Sequence, residues 1–184
     1  MEYPTKTEWT MWYDCQAKRN LSSENYSSCL NEISTIDDLP QLLYLLDNLE
    51  KASAWPLNSN VHFFRRGIQP LWEDKANMKG GKWVIEIPKG FGTVNNEIIS
   101  IWERTILYAA SEMVAEKGIC GCVLSPRRSF DRIALWTKDT DEDVVDIGKE
   151  WKKVVGYSKE LAFKVHENAM KGFRERNNNL YTLA

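Results

Sequence analysis

The sequence predicts one domain of the α+β class, in which isolated helices cover one face of a single antiparallel sheet. At 184 residues the chain has room for one compact core rather than two, so the domain is expected to span residues 1–184. Segments of β-forming residues are separated by helical segments, and they alternate apolar with polar residues rather than running continuously apolar. This pattern favours antiparallel pairing with one covered face, which leaves the other face free to hold a ligand.

The first elements are a strand, a loop and a helix. Residues 9–14 combine aromatic and β-forming side chains, which predicts a strand. Residues 20–28 are polar and rich in turn formers, and they predict a loop that carries Tyr26. A helix is predicted over residues 36–50, because a threonine stands three residues before Asp38 and leucines then recur at helical spacing.

The middle of the chain predicts two strands and the clearest helix of the sequence. Residues 61–66 and 82–87 are short β-branched or aromatic runs, and the stretch between them contains a proline and a pair of glycines. Residues 95–116 carry apolar side chains at every third or fourth position over about six turns. These segments therefore predict two strands joined by a long loop, followed by a long helix.

The last third of the chain predicts four strands and one helix. Residues 119–124 and 132–136 form strands around a turn that is rich in arginine. Residues 139–155 begin with acidic side chains and end with lysines, an order that suits the dipole of a helix. Two short strands complete the domain, over residues 161–165 and 180–183.

Charge and hydropathy exclude several classes of protein. Lysine and arginine number 24 against 26 acidic residues, so bulk positive charge gives no argument for nucleic-acid binding, and RNA would have to be recognised locally. No apolar run approaches the roughly 18 residues that would span a bilayer, and the first ten residues contain no hydrophobic signal region. We therefore expect a soluble protein of the cytosol or nucleus with no membrane partner.

The cysteines and histidines do not form a recognisable reactive site. Four irregularly spaced cysteines are too few for a secreted disulfide framework, and Cys120 and Cys122 lack a second pair at zinc-ligand spacing. His62 and His166 stand far apart, without a neighbouring cysteine or carboxylate motif. We therefore expect reduced, mostly buried thiols, no metal site, no cofactor and no enzymatic activity.

Tryptophan is the anomaly of the composition, and one of the eight stands beside a carboxylate in a predicted loop. Large rings fill a core economically, so about half of the tryptophans are assigned to packing. Trp72 and Glu73 lie in the proline-kinked loop Gly67–Asp74, where the carboxylate can bond a guanine edge and the indole can stack on it. Tyr26 is the candidate second ring, and a cationic base such as 7-methylguanine would add cation–π attraction. The pattern is also compatible with a core Trp72 and a solvated Glu73.

A second candidate element is the basic segment of residues 125–132. It contains Arg127, Arg128 and Arg132, and Lys82 follows a glycine pair elsewhere in the chain. Guanidinium groups can bond phosphate oxygens in a bidentate manner, so this segment suits a nucleotide's phosphates. Arginines in a turn also form ordinary solvated surfaces, and the assignment to phosphate depends on the neighbouring tryptophan–glutamate pair.

These residues resemble the eukaryotic translation initiation factor 4E family of cap-binding proteins. The resemblance covers nearly the whole chain, and its most specific stretches are Gly67–Asp74, Lys79–Trp83 and Arg132–Trp136. It implies a single curved antiparallel sheet of about eight strands with three long helices on its convex face. It also implies that the concave face binds the 7-methylguanosine cap of messenger RNA in translation initiation in the cytoplasm.

The resemblance assigns a role to each candidate cap-binding residue. Trp72 would stack on one face of the methylated guanine, and Glu73 would bond its Watson–Crick edge. Tyr26 would stack on the other face, at a position where most members of the family have a second tryptophan. Trp136 would contact the N7 methyl group. The phosphates would be bound by Arg127, Arg132 and Lys82.

The resemblance also implies a second binding surface on the helical side. In the family this surface binds initiation factor 4G or proteins that mimic it, so we expect a 4G-like scaffold or a 4E-binding protein as partner. Two corresponding positions depart from the family pattern, since Pro40 replaces a tryptophan and Glu103 replaces a leucine. The positions assigned to partner binding are Pro4, Ile36, Pro40, Trp102 and Leu107.

Three alternative functions remain open from the sequence. The protein could be a cap-binding translational repressor of the same family, or a fold relative that has lost cap binding and serves as a protein-interaction module. It could instead hydrolyse a guanine nucleotide or a cap, which would need a metal-binding carboxylate cluster or a base beside the phosphates. Near Arg127 and Arg132 the sequence offers only Asp131. Turnover of a cap dinucleotide would distinguish an enzyme from a binding protein.

Overall fold

The computed structural model describes residues 3–15, 26–49, 55–89, 96–111, 118–167 and 179–184. These residues form eight strands and three helices. The strands are β1 (Pro4–Cys15), β2 (Asn31–Asp38), β3 (Ser59–Arg65), β4 (Gly81–Pro88), β5 (Ile119–Pro126), β6 (Phe130–Thr137), β7 (Leu161–Val165) and β8 (Asn179–Leu183). The helices are α1 (Leu39–Asn48), α2 (Asn96–Ala110) and α3 (Asp143–Val155).

All eight strands belong to one antiparallel sheet. Their order across the sheet is β2-β1-β3-β5-β6-β4-β7-β8. Every pair of neighbours is antiparallel, including β3 with β5 and β4 with both β6 and β7. The predicted α+β class, with one antiparallel sheet and three helices, is therefore confirmed.

The hydrophobic core lies between one face of the sheet and the helices. Along β3, Val61 and Phe63 belong to this core together with side chains of all three helices, whereas the alternating Asn60 and His62 do not. A buried tryptophan links the sheet to a helix, because the indole Nε1 of Trp83 on β4 donates to the Val144 carbonyl of α3 at 2.7 Å. The core contains four of the eight tryptophans, in agreement with the expected share: Trp9, Trp83, Trp102 and Trp151.

The predicted helix over residues 36–50 is wrong at its start. Residues 31–38 form strand β2, which the sequence did not predict, and the helix begins at Leu39. Thr35 and Ile36 pair with Thr10 and Trp9 of β1. The helix is capped by Asp38, whose Oδ1 accepts a hydrogen bond from the Gln41 amide at 2.7 Å. Pairing with β1 therefore places Thr35 and Ile36 in a strand, although their sequence resembles the start of a helix.

The other elements agree with the predictions apart from their ends. Strand β7 has the predicted bounds, and the strands predicted over residues 61–66 and 82–87 differ by one or two residues. Helix α3 begins at Asp143 rather than at residue 139. Helix α2 ends at Ala110, and residues 112–116 of the predicted helix lie outside the described residues. Most of the predicted loop over residues 20–28 also lies outside them.

Two expectations drawn from composition can be compared with the structure. Cys120 and Cys122 are buried free thiols, whereas Cys15 is exposed and Cys29 is partly exposed. Two of the four thiols are therefore buried, fewer than the sequence led us to expect. Burial raises the pKa of the Cys120 thiol to about 12. Over the described ranges, no helix has the length and apolar character needed to cross a bilayer.

Candidate ligand-binding site

A cavity of about 420 Å³ opens on the face of the sheet that does not carry the helices. Strand alternation determines which side chains line the cavity, because neighbouring residues of a strand point to opposite faces of the sheet. On β6, Ile133 and Leu135 belong to the helix-facing core, whereas Arg132, Ala134 and Trp136 line the cavity. The open face expected from the sequence therefore holds a concave site.

All seven residues proposed for ligand binding line this one cavity. They come from the segment around Tyr26, the loop of Trp72 and Glu73, the turn between β5 and β6, and the strands β4 and β6, and the sheet brings these distant parts of the sequence together. They are Tyr26, Trp72, Glu73, Lys82, Arg127, Arg132 and Trp136.

The loop that carries Trp72 and Glu73 is fixed by side chains bonded to its backbone. The Asp74 carboxylate accepts from the Gln69 amide at 3.0 Å and from the Ala76 amide at 2.9 Å. The fully buried Asn77 donates through Nδ2 to two carbonyls, those of Gln69 and Leu71, both at 2.8 Å. These bonds hold Trp72 half-buried in the cavity wall and leave Glu73 exposed.

Trp136 forms a buried part of the cavity wall with rings packed on it. Its ring lies 5.4 Å from that of Phe64, edge to face, and 4.2 Å from that of His166, measured between centroids. His166 is fully buried, and burial lowers its pKa to about 4, so that its ring is neutral at pH 7. Trp136 is therefore held in place by two buried aromatic neighbours.

The three basic residues of the cavity are held in different ways. Arg127 donates to the carbonyls of Ser59 and Pro126, at 3.1 and 2.8 Å, and burial lowers the pKa of its guanidinium. Arg132 forms an ion pair with Glu86 of the neighbouring strand β4, at 2.6 Å. The ammonium of Lys82 lies 5.5 Å from the centre of the Trp72 ring. The cavity thus combines positive charge with aromatic surface.

A buried polar network lies under the cavity, and the sequence did not predict it. The Asp14 carboxylate, which has no exposed surface, accepts from the hydroxyl of Tyr26 at 2.9 Å. It also accepts from Asn60 Nδ2 at 2.9 Å and lies 2.6 Å from His62 Nε2. Within the described ranges, no three His, Cys, Asp or Glu side chains come together as metal ligands. The network is therefore a set of hydrogen bonds around one carboxylate.

Asn60, His62 and Ser125 also line the cavity and were not predicted as site residues. One signal for two of them was present in the sequence, because Asn60 and His62 alternate with the apolar Val61 and Phe63. Polar residues at every second position of a strand indicate a face that is not covered by the core.

The residues proposed for partner binding lie away from the cavity but differ in exposure. Pro4 and Pro40 are exposed, and the Leu107 side chain on α2 is 39% exposed. Ile36 and Trp102 are buried in the core, at 1% and 4% exposure. Of these five residues, only the first three present a surface that a partner could cover without displacing the core.

Comparison with known proteins gives one consistent result. The sequence profile of the family described as "Eukaryotic initiation factor 4E" matches residues 4–181. The eukaryotic translation initiation factor 4E of Candida glabrata is 36% identical over 174 residues, which cover 92% of this chain and 80% of that protein. The corresponding factor of Saccharomyces cerevisiae is 34% identical over 92% of this chain and 79% of its own length.

A solved structure agrees with these sequence relatives. The C. elegans protein eIF4E-3, in complex with the 4E-binding protein Mextli and a cap analog, superimposes on this chain with a TM-score of 0.85. The two proteins are 25% identical, and the superposition covers 100% of both chains. Sequence and fold therefore point to the same set of relatives.

Proposed function

The chain belongs to the eukaryotic initiation factor 4E family, and from this premise we propose that it binds the 7-methylguanosine cap of messenger RNA in translation initiation in the cytoplasm. The relatives from Candida glabrata and Saccharomyces cerevisiae are initiation factors, and the C. elegans protein was solved with a cap analog. The observation that carries this function is the cavity, which collects aromatic rings, one carboxylate and three lysine or arginine side chains.

The aromatic side chains suit the base of the cap. Tyr26 and Trp72 line the same cavity, and their rings stack on the two faces of the guanine. Methylation at N7 makes the base cationic, and each ring then contributes cation–π attraction of about 0.5 to 2 kcal/mol. The Glu73 carboxylate accepts hydrogen bonds from the guanine edge, and Trp136 packs against the methyl group.

The basic side chains suit the phosphate chain. Arg127, Arg132 and Lys82 line the cavity together, and guanidinium groups bond phosphate oxygens in pairs. These contacts are electrostatic, so they weaken as salt concentration rises. Base recognition and phosphate binding are therefore assigned to different residues of one site.

We expect 7-methyl-GTP to bind at least about tenfold more tightly than GTP, because the methylated base is cationic. Quenching of tryptophan fluorescence in a titration with each ligand measures this difference. Equal affinities for methylated and unmethylated GTP would contradict cap recognition.

Replacing Glu73 with alanine should weaken binding of 7-methyl-GTP by about 1 to 3 kcal/mol, because the base edge loses its partner. The Glu103→Ala variant removes an exposed carboxylate outside the cavity and should bind like the wild type.

We assign binding without turnover rather than hydrolysis. Among the described residues that line the cavity, Glu73 is the one carboxylate, and its proposed partner is the base rather than the phosphates. A capped dinucleotide incubated with the protein should be recovered intact in stoichiometric complex. Release of nucleoside mono- or diphosphate, detected by chromatography, would instead indicate an enzyme.

We further propose that a 4E-binding protein or a 4G-like scaffold binds the helical side. Helix α1 exposes apolar side chains, with Leu43 at 46% and Tyr44 at 71% exposure, and Leu107 is exposed on α2. Replacing Leu107 with aspartate should abolish binding of a 4E-binding peptide and leave cap affinity unchanged, because the cavity is on the opposite face. Replacing Val154, a comparably exposed residue of α3, with aspartate is the matched control. Peptide binding that survives Leu107→Asp would exclude this surface.

A further inference from the structure

Asp14 lies at the centre of the buried network, and its surroundings are built to hold a carboxylate. It has no exposed surface, and a buried carboxylate is costly unless donors surround it. Three side chains supply those contacts, from Tyr26, Asn60 and His62. Asn60 contacts both carboxylate oxygens, at 2.9 and 3.0 Å. These contacts therefore hold the Asp14 carboxylate and its three neighbouring side chains in fixed relative positions.

The same network reaches a basic residue of the cavity. The Oδ1 atom of Asn60 accepts from Arg127 Nη2 at 2.8 Å and from the Ser125 hydroxyl at 2.7 Å. Because the Nδ2 atom of Asn60 is bonded to Asp14, the orientation of the amide is fixed by the carboxylate. Asp14 is thus joined directly to the ring of Tyr26 and, through one side chain, to the guanidinium of Arg127.

We propose that Asp14 is a positioning residue of the cap-binding cavity, which holds the Tyr26 ring in its stacking position and, through Asn60, directs Arg127 towards the phosphates. This role rests on the proposed function and explains how a tyrosine serves as the second ring. A ring that is fixed before the ligand arrives loses less conformational freedom on binding. A hydroxyl bond is one way to fix it, and phenylalanine would lack that bond.

The hydroxyl of Tyr26 is a dependable donor for this purpose. Burial and the nearby Asp14 charge raise the pKa of Tyr26 above its usual value, so the phenol keeps its proton at neutral pH. A hydrogen bond to a charged acceptor is also stronger than one between neutral groups. The Tyr26–Asp14 bond at 2.9 Å therefore persists under the conditions in which a cap would bind.

The test compares Tyr26→Phe and Asp14→Asn with the wild type, using the nucleoside 7-methylguanosine and its triphosphate as ligands. Tyr26→Phe keeps the ring and removes the bond, so it should weaken both ligands by the same factor of about five. Asp14→Asn should weaken the nucleoside about as much, and it should weaken the triphosphate further because Arg127 loses its orientation. Tyr181→Phe, which removes a hydroxyl bonded to the Thr140 carbonyl far from the cavity, should bind like the wild type.

The double variant distinguishes positioning from a general structural role. If Asp14 acts through the Tyr26 hydroxyl, adding Asp14→Asn to Tyr26→Phe should change the affinity for the nucleoside less than twofold, about within additivity error. Losses that multiply would overturn the proposal. If Asp14→Asn does not fold, Tyr26→Phe decides alone, and a wild-type affinity for that variant overturns it. A wild-type protein that does not prefer the methylated ligand would instead overturn the proposed function and this role with it.

Discussion

Arg132 meets its proposed ligand with its guanidinium already occupied by a carboxylate. Its Nε and Nη2 atoms lie 3.0 and 2.6 Å from the same oxygen of Glu86, and the two residues face each other across strands β6 and β4. The ion pair is partly exposed, with the Arg132 side chain at 23% and the Glu86 side chain at 44% exposure. Such pairs contribute about 1 kcal/mol or less, so a phosphate group can displace this one.

Glu86 should therefore reduce the affinity of the cavity for phosphate, and Glu86→Gln should remove that competition. We expect the variant to bind 7-methyl-GTP about two- to fivefold more tightly and to show a steeper salt dependence, while its affinity for the 7-methylguanosine nucleoside stays unchanged. Titrations at two salt concentrations measure both effects. Glu8→Gln is the control, because Glu8 pairs with Arg66 outside the cavity. A similar gain for the nucleoside would contradict the assignment of Arg132 to phosphate.

Individual residues of the site differed in how far the sequence could predict them. Trp72 and Glu73 are adjacent and stand in a distinctive loop, so their chemistry could be read from local sequence. Asp14 and His62 are 48 residues apart and meet because strand β1 pairs with β3 in a register that places Asp14 opposite Asn60. Their contact depends on that register, and a shift of one residue would turn Asp14 to the other face.

At the scale of elements, the boundary between β2 and α1 shows where local pattern is insufficient. Thr35 and Asp38 have the spacing of a capping box, and leucines follow at helical intervals. The β-branched Thr35 and Ile36 are instead held in a strand by pairing with β1, with Ile36 buried at 1% exposure. The residue that caps the helix is Asp38, three residues after the threonine that the capping-box pattern placed at the start. Local sequence therefore placed the helix, while a contact distant in sequence set its first residue.

The packing of α3 on β4 requires a glycine inside the helix. A Cβ atom at Gly148 would lie 2.4 Å from Cε2 of Trp83, which is fully buried and bonded through its indole to α3. The Trp83 ring is rigid and cannot move aside without breaking that bond. The close approach of this helix to the sheet thus depends on the absence of a side chain at one position.

We therefore expect Gly148→Ala to destabilise the protein, although alanine favours helices over glycine by about 1 kcal/mol. Overpacking against a rigid ring costs about 1 to 3 kcal/mol, so after this gain is subtracted the free energy of unfolding should fall by up to about 2 kcal/mol. Urea denaturation measures the change. Lys149→Ala, at the next and exposed position, should stay within about 0.5 kcal/mol of the wild type. A more stable Gly148→Ala variant would mean that the helix can move away from Trp83.

In the whole molecule, the sheet separates the core on its helix-covered face from the cavity on its open face. Strand alternation predicts that two such faces exist, but it does not predict which side chains meet on each. The sequence predicted one antiparallel sheet with a covered and an open face, because its strands alternate. The order of the strands could not be predicted, since β4 lies between β6 and β7 and each of these pairings joins distant segments. That order sets Lys82 opposite Trp136 on β6. The composition of the cavity therefore follows from long-range pairing rather than from any single motif.

His166 joins three parts of the molecule at the end of β7. Its amide donates to the Gly80 carbonyl at 3.0 Å, and its ring packs on Trp136 of β6. Its Nδ1 atom lies 2.8 Å from the Asn77 carbonyl, so Nδ1 carries the proton. The Nε2 atom is buried and has no hydrogen-bond partner among the described residues. A second proton on Nε2 would therefore be a buried donor without an acceptor, which is costly.

The stability of the whole protein should consequently depend on pH through His166. Its pKa is lowered to about 4 in the folded state by burial, against about 6.5 in an unfolded chain, so the unfolded chain takes up the proton first as the pH falls. The stabilisation is complete above pH 6.5, is lost between about pH 6.5 and 4, and amounts to about 3 kcal/mol at most. Urea denaturation of the wild type and His166→Gln across this range measures it, because carboxylates titrate in both proteins and cancel in the difference. The wild type should lose more stability than the variant on acidification, and parallel curves would show that His166 is protonated without cost in the fold.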